Sequence, residues 1–127
     1  MPFRFWTKIK NAKPMNYFEE IRKELDRAAA ARKIGNEGQA RVCARRAAGF
    51  AIREYFERHG LPITTTSAYE LLRALAELPD LAPDLRQAAR HLTLRVTDEF
   101  KLPMEVDLII EARKICTGLE GDQFSER

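Results

Sequence analysis

Residues 35–60, GNEGQARVCARRAAGFAIREYFERHG, decide the fold. They run between two glycines without a proline, and their apolar residues recur at helical rather than alternating spacing, which predicts a helix over about Glu37 to Arg58. Ala40, Ala44, Ala47, Ala48, Gly49 and Ala51 form a stripe of small side chains that lets a neighbouring backbone come close. Val42, Phe50, Ile52, Tyr55 and Phe56 supply the bulk. A glycine inside a helix costs about 1 kcal/mol relative to alanine, so Gly49 needs a packing reason, and a close helix crossing is the simplest one.

Working outward, Asn16 with Glu19, Asn36 with Gln39 and Ser67 with Glu70 each have the spacing of a reciprocal N-terminal cap. The first helix therefore starts after Asn16, carries Tyr17 or Phe18, Ile21, Leu25, Ala28 and Arg32 along one side, and stops at Gly35. The alanines 28–31 are the natural counterpart of the small-residue stripe. After Gly60, LPITTT resists helix, because Pro62 restricts its predecessor and threonine loses rotamer freedom. Leu71, Leu72, Leu75 and Leu78 predict a short helix stopped near Pro79. A fourth opens at Pro83 and runs through Leu85, Ala88, Ala89 and Leu92 to Val96. Asp98 to Lys101 reads as a break, and Pro103 opens a last helix ending before Gly118. The expectation is all-α: an up-and-down four-helix bundle with one additional short helix, over residues 15–118. A basic aromatic arm (1–14) precedes it and a polar tail (119–127) follows.

Composition narrows the function classes. The chain has 127 residues, of which 45% are hydrophobic and 32% charged, which suits one soluble core. No run of about 18 apolar residues is present, so no membrane insertion is expected. Two isolated cysteines and no leader-like segment point to a cytoplasmic protein. Cys43, Cys116, His59 and His91 lack ligand spacing, so neither a metal nor a cofactor is expected. No nucleophile elbow or triad signature occurs, and the reading leans away from an enzyme.

Charge is unevenly divided. Residues 1–58 hold 14 Lys and Arg against 7 Asp and Glu, a net +7; residues 59–127 hold 8 against 12, a net −4. A basic half attracts phosphates, and an acidic half offers a surface for a second copy of the chain, so nucleic-acid binding and self-association are both live. Within the basic half, Arg41, Arg45, Arg46 and Arg53 form a cationic flank on the second helix. Arg86 and His91 look like a nucleophile-activation or phosphate site in miniature, although five positions along a helix put them about 140° apart.

Two stretches, ARKIGNEGQARVCARRAAGFAIREYF and ARHLTLRVTDEFKLPMEVDLIIEARKIC, resemble the long second helix and the closing helix, basic break and final helix of the HEPN family of small α-helical bundles. The resemblance implies a bundle that is frequently a homodimer and is associated with nucleotides, with RNA or with a partner nucleotidyltransferase. In ribonuclease members an Arg and a His separated by four to six intervening residues mark the entrance to the last helix. Here Arg95 stands at that place and no histidine follows it, while Arg86 and His91 have the spacing but lie earlier, inside the fourth helix. The resemblance thus implies a non-catalytic domain binding a nucleotide or nucleic-acid phosphate, with Arg95 joining the flank of the second helix. The alternatives are a protein-interaction module that partners a nucleotidyltransferase and, third, the ribonuclease.

Overall fold

A computed structural model describes residues 15–95 and 105–124. The described residues form five helices and no strand: α1 (Tyr17–Lys33), α2 (Glu37–Arg58), α3 (Ala68–Ala76), α4 (Pro83–Leu92) and α5 (Leu108–Phe124). The expected N-terminal arm, Val96, the break at Asp98 to Lys101, the Pro103 helix start and the last three residues of the tail lie outside them. Among the described residues no helix is long and apolar enough to cross a membrane.

The helix ends follow their local chemistry. Asn16 Oδ1 accepts from the Glu19 amide and Asn36 Oδ1 from the Gln39 amide, both at 3.1 Å, and Ser67 Oγ accepts from the Glu70 amide at 3.3 Å. Only this forward half of each cap forms. Glu19 pairs with Arg22, Gln39 reaches Cys43, and the Ser67 amide donates to Thr65 Oγ1. α1 and α2 both close on a glycine of positive φ, +83° at Gly35 and +67° at Gly60. In each case the next amide reaches back to the carbonyl five residues earlier, Asn36 to Ala31 and Leu61 to Phe56. Pro83 opens α4 without a side-chain cap.

Three boundaries differ from the sequence reading. α4 stops at Leu92, short of Val96, and α5 starts at Leu108 because Asp107 Oδ1 accepts from the Ile109 and Ile110 amides. α5 then continues through Gly118 to Phe124, with Leu119 in the core, so the packed unit extends past residue 118. A Cβ at Gly118 would lie 2.5 Å from Leu85 Cδ2 of α4, so a larger residue there would have to displace that side chain.

α2 is the central element and packs on α1, α3 and α5, while α4 packs on α3 and α5. Most of its inner surface is small side chains, with Ala40, Cys43, Ala44, Ala47, Ala48 and Ala51 all buried, and the bulk comes at its C-terminal half from buried Ile52 and Phe56. α1 meets it with Ile21, Glu24, Ala28 and Ala31; Ala29 and Ala30 face solvent. Phe18 is 67% exposed and Val42 is exposed, so neither supplies the core bulk assigned to it. The close approach at Gly49 is to α3 and not to the alanines of α1, since a Cβ at Gly49 would lie 3.0 Å from Ala68 Cβ and 3.3 Å from its Cα. The second wall of the seam comes from α5, where Ile115 and Cys116 are buried and the Cys116 thiol points at the Ala47 carbonyl at 3.8 Å. Burial pushes that thiol up to about 12.

One ion network ties α1, α2 and α5 at a single end. Arg32 donates through Nε and Nη2 to Glu37, at 3.1 and 2.6 Å, and through Nη1 to both Asp107 oxygens, at 3.0 and 2.9 Å. Asp107 is therefore a helix cap and an interhelical acceptor. The Arg32 hydrogen bond holds the Glu37 carboxyl below its usual range. Partial burial pulls Asp107 upward, but Arg32 and the α5 amides outweigh it, and its net direction is also down.

Both depressed carboxyls add stability that is present above their unfolded pKa values and is lost as pH falls through the folded ones. Melting temperature is expected to drop as pH falls below about 4.5, the ordinary Glu value, and Arg32→Met should flatten that drop in a pH series of thermal melts. Gly49→Val should lower stability by about 2 kcal/mol through overpacking against Ala68, read as a reduced urea midpoint at unchanged slope.

Candidate phosphate-binding groove

α2 turns a single flank outward between α1 and the start of α3. Val42, Arg45, Arg46, Gly49, Phe50 and Arg53 fall on that flank by helical spacing, and all six line a cavity of about 440 Å³ with Glu24, Thr66, Ala68 and Leu71. This volume lies in the range of small-molecule sites, about 300–1,000 Å³, and the mix of apolar walls with a few converging charges is typical of them. Arg45, Arg46 and Arg53 are brought together as the sequence implied.

Their roles diverge. Arg45 is half-buried and donates through Nε to the Leu92 carbonyl at 2.7 Å and through Nη2 to the Leu94 carbonyl at 3.0 Å. It thereby satisfies the Leu92 carbonyl, which α4 leaves open at its C-terminus, and the Leu94 carbonyl two residues beyond, and it is a structural clasp before it is a ligand contact. Burial, with the charges of Arg41 and Arg95 behind it, pulls its pKa down. Arg46 is exposed and forms no hydrogen bond or ion pair among the described residues. Arg53 lies over the Tyr17 ring at 5.8 Å, with its Nε buried and unpartnered among the described residues. Tyr17 donates its hydroxyl to Glu57 at 2.7 Å, and burial together with that bond raises its pKa to about 12.

Arg95 belongs to an adjoining depression that it lines with Arg45, Tyr69 and Leu94. Its guanidinium stacks over Tyr69 at 4.8 Å, and Arg73 lies over the same ring at 6.0 Å. Arg45 lines both depressions, so they form one continuous cationic tract. Arg41, one turn before Arg45, adds its field at the Glu37 end of α2.

Arg86 and His91 line neither depression, and no hydrogen bond or ion pair joins them among the described residues. Gln87 Nε2 donates to His91 Nε2 at 2.9 Å, which leaves Nδ1 to donate to Glu111 Oε1 of α5 at 3.2 Å. Both ring nitrogens are thus occupied in a latch between α4 and α5, and Lys114 holds the other Glu111 oxygen at 3.3 Å. The Arg86 Nε is buried and unpartnered among the described residues. No three His, Cys, Asp or Glu side chains among the described residues converge to hold a metal.

One contributor escaped the sequence reading. Glu24 is only 5% exposed and stands on the inner stripe of α1, in step with Ile21, Ala28 and Ala31. Its Oε2 accepts from Arg27 Nη1 at 3.1 Å, whereas Oε1 is buried with no hydrogen-bond partner among the described residues. Leaving such an atom unmatched costs about 1–3 kcal/mol. The spacing 21, 24, 28, 31 was the available signal; Leu25 was the more apolar choice and is only partly buried.

If Arg45 is a clasp and Arg46 a solvent-facing cation, Arg45→Met should lower unfolding free energy by about 2 kcal/mol, whereas Arg46→Met should stay within about 0.5 kcal/mol, both by urea denaturation. No family model, curated protein or solved structure matches the chain.

Proposed function

We propose that the chain is a HEPN-like bundle that binds the phosphate of a nucleotide or nucleic acid without catalysing a reaction on it, acting as a homodimer. The observation that carries this reading is the convergence of Arg45, Arg46 and Arg53 on one cavity, continued by Arg95 beside Tyr69. Guanidinium groups take phosphate oxygens in pairs, and Phe50, which lines the same cavity, is an aromatic surface of the kind on which bases stack. Arg46 and Arg95 are exposed and can reach an incoming phosphate, with Arg53 behind them and Arg41 reinforcing the field. The ribonuclease alternative gains no support from a histidine whose two nitrogens are already engaged.

A second reading, a module that docks a protein such as a nucleotidyltransferase, is favoured by a different surface. Met15 and Phe18 at the start of α1 stand exposed over a groove of about 590 Å³ that runs between α1 and the Leu119 end of α5.

Fluorescence anisotropy with labelled ATP and single-stranded RNA at low salt should show binding that weakens steeply as salt rises. Arg46→Glu combined with Arg95→Glu should reduce affinity about tenfold or more. Absence of binding up to millimolar protein would remove the phosphate reading and leave the docking one.

A further inference from the structure

We propose that the groove between α1 and α5 is the seat of the chain's own N-terminal arm, residues 1–14, which docks there through its aromatic side chains. The groove is lined by Ile21, Ala51, Cys116 and Leu119, all buried, and its volume of about 590 Å³ is in the range that holds a compact apolar group. Met15 and Phe18 line it as well, yet they are 46% and 67% exposed, so a large apolar surface faces water beside an apolar depression. The charge of the lining has one sign. Glu54 and Glu120 contribute to it, and among the described residues no Lys or Arg does. Glu54 is matched by Arg58, which does not line the groove, whereas Glu120 forms no hydrogen bond or ion pair among the described residues.

Composition and reach select the arm as the occupant. It holds Phe3, Phe5 and Trp6 together with Arg4, Lys8, Lys10 and Lys13, and no acid. It therefore brings rings to the apolar surface and positive charge to the side that carries Glu120. Its point of attachment is in place, because Met15 is itself part of the lining. Trp6 precedes Met15 by nine residues. That length spans about 30 Å when extended, while the rise from Asn16 to Ile21 along α1 is only about 8 Å, so the chain can turn back over the groove. A tether this short also presents the rings at an effective concentration of about millimolar, far above that of a second copy in dilute solution. The arm then covers the surface on which the protein-docking reading rests, and a partner seated there has to displace it.

Trp6 is the only tryptophan in the sequence, so its fluorescence reports the arm alone. In the full chain at micromolar concentration its emission should be blue-shifted from that of tryptophan in water, with acrylamide quenching about threefold weaker than in the urea-unfolded chain. Phe18→Lys combined with Glu120→Lys should move emission and quenching to the unfolded values, with far-UV circular dichroism verifying the helices. Phe3→Ser with Phe5→Ser leaves the bundle's own residues untouched and should red-shift Trp6 in the same direction. A solvent-exposed Trp6 in the unaltered chain overturns the proposal and leaves the groove open to a partner protein. Shielding that survives both pairs of substitutions overturns it too, since the ring is then held elsewhere. Mixing the Phe18→Lys, Glu120→Lys chain with an excess of Trp6→Phe chain, whose groove is intact, should leave Trp6 exposed; a return of the blue shift means that the arm crosses to a second copy and overturns docking within one chain.

Discussion

Everything in the bundle depends on how little side chain α2 places on its inner side. Ala40, Ala44, Ala47, Ala48 and Ala51 allow backbones to approach closely, and dispersion contacts at short range replace the bulk that leucine or phenylalanine would bring. Three helices share this one support. α1 uses Ala28 and Ala31, α3 arrives at Gly49, and α5 brings Ile115 and Cys116. Larger residues are concentrated elsewhere, in Ile52 and Phe56 of the C-terminal half of α2, in the leucines of α3 and α4 and in the buried Leu108 and Leu119 of α5.

A seam of this kind has a directional effect on charge. Because the inward arc of α2 is filled with alanine, its arginines are confined to the remaining circumference, and the short α3 limits that arc further by pressing on Gly49. Arg45, Arg46 and Arg53 are therefore neighbours for a reason of packing. Arg45 is the point where architecture and electrostatics meet, since the guanidinium that secures the end of α4 also joins the two halves of the cationic tract.

Helix identities and most helix starts were legible in the sequence because they are written in local chemistry. Asn16, Asn36 and Ser67 cap their helices, Gly35 and Gly60 take positive φ, and Pro83 sits at the first position of α4. What failed was set at longer range. The start of α5 depends on Asp107 being claimed by its own helix and by Arg32, 75 residues away, and at Gly118 the helix runs against Leu85 of α4. The site was half legible: a helical flank can be drawn from spacing alone, but nothing along the chain tells which arginine is spent on carbonyls. Glu24 was missed because a charged residue flanked by Lys23 and Leu25 reads as surface, and only the stripe through Ile21, Ala28 and Ala31 argues otherwise.

The position of Cys116 gives the protein a built-in reporter. A thiol packed against the Ala47 carbonyl and held in its protonated form by burial is a poor nucleophile, so alkylating reagents in the surrounding solution pass it by. Cys116 also lines the groove between α1 and α5, so the pace of its capping reports every opening that frees the thiol, at the alanine seam or along that groove.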